Sequence, residues 1–297
     1  MKFKQLLSNH KTTAVLIGAI FILGISGYFG YQKFTSQKNT LAEEVDLVFD
    51  AEGPFAILSP RRDGNALVLN LKRTASYDVI SYELAYASKV EETKVLGNKI
   101  LDEGESGNSG VIDRGVQGTI DTKDKKGEYE QEILFGTCSK NVCKYDKGVE
   151  NGTLTLHIKK RDKAYKMITQ WHLQKPDLAL GLLISGDTHF NYKLDIDRQA
   201  LSNIGFTIIN DLTGVPKLPS GKSVLGKVYS LNTPIAKDLN AGEVTVELVE
   251  NPSPDVKLYR YDLSKGNWEE LETKIKGSKL TGKAKGVGIF AVLSSKK

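Results

Sequence analysis

Residues 152–173 read "GTLTLHIKKRDKAYKMITQWHL". Leu154, Leu156 and Ile158 alternate with Thr153, Thr155, His157 and Lys159. A period of two puts one set of side chains on each face of an extended strand, whereas a helix would repeat every 3.6 residues. Arg161-Asp162 interrupts the run, and 164–173 resumes it. The stretch therefore predicts two strands joined by a tight turn.

The same period extends outward in both directions. Strands are expected at 65–73, 78–88 and 128–136 on the N-terminal side. On the C-terminal side they are expected at 179–185, 189–196, 204–210, 223–231, 242–250, 256–263, 267–275 and 288–295. Turn signals stand between runs at Asp63-Gly64, Lys126-Gly127, Asn151-Gly152 and Arg161-Asp162. "QKPDLALG" (174–181) places a proline where a new apolar series begins, which suggests a boundary. The expectation is a mainly β chain with two antiparallel β-sandwich domains, 45–176 and 177–297.

Residues 12–31, "TTAVLIGAIFILGISGYFGY", carry no charge over 20 positions. As a helix this stretch rises about 30 Å, the thickness of a bilayer's hydrocarbon core. Ser26-Gly27-Tyr28-Phe29-Gly30-Tyr31 is a poor cleavage site and places aromatic rings where an interfacial belt would lie. The span is expected to be an uncleaved signal anchor, a transmembrane helix. Residues 1–11 would be cytoplasmic and 32–44 a tether. Lys2, Lys4 and Lys11 precede the span and only Lys33 and Lys38 follow it closely, so the C-terminal domains are expected outside the cell membrane.

The formal net charge is +5, but the three lysines before the span account for much of it. The remainder carries 38 basic against 36 acidic side chains. That balance lacks the dense basic face a nucleic-acid binder uses, so no nucleic acid is expected as a partner.

Two segments carry a resemblance. "VKLYRYDLSKGNWEELETKI…GVGIFAVLSS" alternates into a Ser264-Lys265-Gly266-Asn267 turn, then Trp268 and Leu271, then Gly288-Ile289-Phe290-Ala291-Val292, beside a family pattern of a Y-x-G-x-W-x-x-L hairpin before a G-x-F-A-V strand. It resembles closing segments of β-domains in membrane-anchored bacterial surface proteins. "ISYELAYAS" (80–88) resembles a strand of fibronectin type III or immunoglobulin-like modules. The resemblance implies Ig-like folds and says nothing of an activity.

Candidate chemistry is sparse. Thr137-Cys138 after an apolar strand invites comparison with sortases, but the histidine upstream of the cysteine is His10, before the span. "PKLPSGKS" (216–223) has Pro216 where a phosphate-binding loop has its first glycine, and β-patterned sequence follows it. No cofactor is expected. Asp187, His189, Asp195 and Asp197 gather in "GDTHFNYKLDID", which reads either as a solvated strand face or as oxygen ligands for calcium. Asp102, Glu103, Glu105 and Asn108 are a second candidate cation loop. Seven lysines and no acid occupy 273–297, suiting either edge protection or attraction to an anionic wall polymer or lipid headgroups. Trp171 and Trp268 fit core packing or a sugar platform. "NGT" (151–153) matches the glycosylation acceptor pattern and also reads as a turn.

Cys138 and Cys143 stand in a C-x₄-C spacing, unlike the C-x-x-C of redox sites, and no second pair completes a zinc site. An exported hairpin tip closed by a disulfide is expected. The functional expectation is a non-enzymatic binding or structural module of the cell envelope. The alternatives are an envelope enzyme acting on wall polymer and a subunit of a larger envelope complex.

Overall fold

The computed structural model describes residues 44–89, 110–124, 126–140, 142–174, 181–195, 205–234 and 241–296. The expected span 12–31, most of the tether and the loop of Asp102, Glu103, Glu105 and Asn108 lie outside the described residues. Among the described residues no helix is long and apolar enough to cross a membrane. Glu44–Lys297 forms one compact unit. It is mainly β, with strands numbered β1 to β20 in chain order.

A ten-stranded sheet dominates. Its spatial order is β17 (Asn267–Glu270), β16 (Lys257–Asp262), β20 (Gly288–Ser295), β14 (Lys222–Asn232), β13 (Phe206–Asn210), β10 (Lys163–Gln174), β9 (Asn151–Lys160), β4 (Val79–Lys89) and β5 (Val111–Ile120). Short β1 (Glu44–Asp46) pairs parallel to β10 and every other named pairing is antiparallel. The opening stretch forms the β9–β10 hairpin, with Lys160 opposite Lys163 across Arg161-Asp162. A five-stranded sheet has the order β11 (Leu182–Ile184), β12 (Phe190–Lys193), β15 (Ala241–Glu247), β19 (Lys279–Lys285) and β18 (Thr273–Lys276). β2 (Phe55–Pro60), β3 (Ala66–Lys72) and β6 (Tyr129–Leu134) make a third sheet. β7 (Gly136–Ser139) and β8 (Val142–Tyr145) make a small hairpin.

Alternation in the ten-stranded sheet feeds two separate cores. Ile289, Ala291 and Leu293 of β20 enter one core, and Phe290 and Val292 enter the other. β16 divides the same way, Tyr259 from Leu258, and β14 divides Val228 from Tyr229 and Leu231. The first core is completed by β2, β3 and β6 through Leu58, Leu67, Leu69 and Ile133. The second is completed by the five-stranded sheet through Leu183, Tyr192, Val244 and Leu280. Strands buried on both faces lose the polar half of their alternation, which is why 288–293 is a continuous apolar run. Thr207 of β13 donates a hydrogen bond to the Leu58 carbonyl and ties the sheets together.

The expected division at 176/177 falls between two strands paired in one sheet. β10 and β13 run side by side from Gln170↔Asn210 to Gln174↔Phe206. Two local expectations are corrected. Asn151-Gly152 is not a turn but the start of β9, where a Cβ on Gly152 would overlap the Ala85 carbonyl and lie 2.6 Å from the Trp171 ring. The run 267–275 divides at Leu271, sending β17 to the ten-stranded sheet and β18 to the five-stranded one. Trp171 is fully buried and stacked on Phe135 at 5.7 Å, which is the core packing its alternating strand suggested.

Candidate functional site

The expected staple is present. Cys138 and Cys143 are direct partners in the β7–β8 hairpin, with Cα atoms 4.0 Å apart, and are bonded to each other. Gly136 (φ 126°) starts the hairpin in a conformation other residues rarely adopt, and a Cβ there would overlap the Lys144 carbonyl. Its N–H donates to the Tyr86 hydroxyl (3.1 Å), which donates in turn to Asp146 Oδ2 (2.8 Å). Burial, and then the Asp146 carboxylate, push the Tyr86 phenol well above its usual range. These bonds tie the base of the hairpin to β4, and neither cysteine is a free thiol.

Asp187 sits in the β11–β12 turn rather than on a strand face. Ser185 Oγ (2.6 Å) and the His189 N–H (3.2 Å) donate to its Oδ1. Lys227 Nζ and the Tyr229 hydroxyl each donate to its Oδ2 at 3.1 Å. Burial raises its pKa, and the donors outweigh that and hold it below the usual carboxylate range. The same carboxylate, after burial, pushes the Tyr229 phenol far up. His189 contributes its backbone to this turn and its side chain is exposed. Asp195 lies exposed beyond the end of β12, and Asp197 lies outside the described residues. Among the described residues no group of three or more His, Cys, Asp or Glu side chains is placed to hold a metal ion.

A different concavity brings several cationic side chains together. A cleft of about 520 Å³ opens between β2–β3 and the β16–β17 turn. Ile57, Ser59 and Asn70 form its strand wall, and Pro216, Tyr261 and Leu263 face them. Lys72, Arg73 and Lys217 line it against a single carboxylate, Glu128. Lys72 Nζ holds Glu128 Oε2 at 2.7 Å. Arg73, at the end of β3, has φ of 60°, an uncommon conformation for a residue with a side chain. It is held there by a hydrogen bond from Nη1 to the Ala51 carbonyl (2.6 Å) and by lying 5.6 Å from the centre of the Phe55 ring. Lys217 is exposed and has no carboxylate within 4 Å among the described residues. Its carbonyl accepts from Trp268 Nε1 (3.1 Å), and Trp268 meets Tyr261 edge-on at 5.3 Å.

No family model, curated protein or solved structure matches this chain.

A buried ionic node sets the far wall. Arg260, 4% exposed, donates through Nη2 to Asp262 (2.7 Å) and Glu269 (2.9 Å), and through Nη1 to the Val287 carbonyl (2.7 Å). Asp262 also accepts from the Ser264 hydroxyl (2.6 Å) and the Lys265 N–H (3.2 Å). These bonds outweigh the burial that would raise its pKa, leaving it well below the usual range. The node pins the turn that carries Tyr261 and Leu263. Pro216 and Lys217 belong to the stretch read against a phosphate-binding loop, and Tyr261 to the closing hairpin, but nothing in the sequence marked the cleft residues as one site. Lys72 and Lys217 are 145 positions apart, and only the sheet topology brings them together.

Proposed function

We propose that this chain is a single-pass, membrane-anchored protein whose β-rich body lies outside the cell membrane and serves as a non-enzymatic binding module of the cell envelope. Its halves are read as Ig-like β-sandwiches that share their central sheet. The two cores on opposite faces of β13, β14, β16 and β20 support that reading. The Cys138–Cys143 bond supports an oxidising compartment.

The observation that carries the binding role is the cleft at β2–β3. Its lining combines three cationic side chains and one carboxylate with polar Ser59 and Asn70 and the Tyr261 ring. That set suits an anionic saccharide segment of wall polymer. Lys217 and Arg73 meet the acidic groups, Tyr261 the sugar face, and the amide and hydroxyl its ring hydroxyls. Titration calorimetry of the full chain in nanodiscs tests the reading, with an acidic oligosaccharide and a neutral one of equal length. The acidic ligand binds, the neutral one binds at least 10-fold more weakly, and Lys217→Glu reduces the acidic affinity by roughly 10-fold or more. Equal binding of both ligands, or no effect of Lys217→Glu, refutes it. Protease added to intact cells should degrade the body, and full protection would overturn the export.

A further inference from the structure

The five-stranded sheet packs one face on the second core and leaves the other to solvent. Register assigns the solvent face. Directly opposed residues of an antiparallel pair share a face. Lys276, Lys279 and Glu247 therefore form one row across β18, β19 and β15. Lys283, Glu243 and Lys193 form another across β19, β15 and β12. Lys274 lies opposite Thr281 between those rows, and Lys285 ends β19 on the same side. All six lysines are exposed. The face carries two carboxylates, Glu243 and Glu247, and exposed Asp195 and Glu272 lie beyond the strand ends. Lys279 stands 3.4 Å from Glu247, and the other five lysines have no carboxylate within 4 Å among the described residues.

Protection of a sheet edge explains only part of this. Lys274 and Lys276 lie on β18, which is an edge. Lys279, Lys283 and Lys285 lie one strand in, and Lys193 lies on β12, three strands from that edge. Interior strands need no such guard. The chain beyond the N-terminal lysines is close to neutral, so six lysines on one face are a concentration and not a reflection of composition.

We infer that this face docks on an anionic lipid surface. The array is two-dimensional: Lys276 and Lys279 are cross-strand neighbours about 5 Å apart, Lys283 and Lys193 stand two strand spacings apart with Glu243 between them, and lysines two residues apart along a strand are about 7 Å apart. A linear polyanion would satisfy one row, and a planar field of headgroups meets all of them. The cations are all lysine, compact charges without the bidentate fork that would read a particular anion. The face carries no aromatic ring on which a sugar would stack. Reach agrees: residues 32–43 separate the proposed span from Glu44, and about 12 residues extend at most ~40 Å. The docking rests on the anchored reading for its proximity, but the attraction itself comes from the lysines.

The test reconstitutes the full chain in vesicles, with a dye on Thr281→Cys at the centre of the face and acceptor lipid in the bilayer. Carbonate-resistant flotation reports the anchor separately. Energy transfer should rise on going from purely phosphatidylcholine vesicles to vesicles with about a third phosphatidylglycerol. It should fall again in high salt and be abolished in Lys274→Glu/Lys279→Glu/Lys283→Glu. Three lysines at an anionic surface correspond to a change in docking equilibrium on the order of 100-fold. Should flotation fail, the anchor reading falls, and co-sedimentation of the same chain with the two vesicle types reads the face. Equal transfer or sedimentation in neutral and anionic vesicles overturns the inference. So does a response to soluble polyglycerol phosphate with none to the anionic bilayer.

Discussion

Replacing Arg260 with methionine removes the cation at the centre of the β16–β17 node while keeping most of its volume. Asp262 and Glu269 lose their bonds at 2.7 and 2.9 Å, and the Val287 carbonyl loses its donor. Removing one partner of a buried ion pair costs ~3–5 kcal/mol, because the remaining charge stays desolvated. Here the losses are partly met. Glu269 keeps Lys265 at 2.8 Å, and Asp262 keeps Ser264 and two backbone N–H groups. The expected cost is therefore at the lower end, about 3 kcal/mol. A folded unit of about 250 residues unfolds with an entropy of roughly 0.5 kcal/mol/K, so the melting temperature should drop by about 6 °C. Tryptophan fluorescence reads the transition locally, since Trp268 touches Tyr261 beside the node. A double-mutant cycle with Asp262→Asn should give a coupling of about 1–3 kcal/mol. Because the node fixes Tyr261 and Leu263, Arg260→Met should also weaken binding of the acidic oligosaccharide. A coupling within experimental error of zero, with an unchanged melting temperature, would refute the node as the support of the cleft wall.

Changing Cys138 and Cys143 to serine should cost about 2 kcal/mol in urea unfolding, since the unfolded chain regains little entropy when so short a loop is opened. Tyr86→Phe removes the donor to Asp146 and the acceptor for the Gly136 N–H, and should cost about 1–2 kcal/mol, read by faster amide exchange in the 136–145 hairpin. Gly152→Val forces a side chain against the Ala85 carbonyl and Trp171 and should cost about 3 kcal/mol, visible in the same urea titration. Thermal melts against pH should decline at both extremes. Asp187, Asp262 and Glu269 have depressed folded pKa values, so their contribution is complete above about pH 4 and is lost as pH falls through the lower folded values. Tyr192 is pushed up to about 12 by burial, so its contribution holds below about pH 10 and disappears as pH rises toward 12.

The period of two was enough to find β3, β4, β9, β10, β16 and β20 to within about two residues, because each keeps one face or both against a core. Elements without that alternation escaped it. β2 is "FAILSP", nearly all buried and ending in proline, so it shows no polar half. β5 carries two glycines, one of them opposite Tyr82, and its edge position leaves most residues exposed. β19, "KLTGKAK", reads as a lysine-rich loop because its three core-facing positions are Leu280, Gly282 and Ala284. The disulfide was legible because its partners are five residues apart on a turn, and local geometry is all it needs.

By itself, then, the sequence determined the β class, the hairpin of 152–173, the staple, and the uncharged stretch at 12–31, all of them properties of neighbours along the chain. Tertiary structure alone decided that one sheet carries both cores, that Asp187 is consumed by Lys227 and Tyr229, and that Lys72, Arg73, Lys217 and Tyr261 surround one cleft. It also decided that six lysines spread over 193–285 share one face. Those outcomes depend on strand order and register. Strand order is set by which apolar faces can be buried together, a quantity no local window contains.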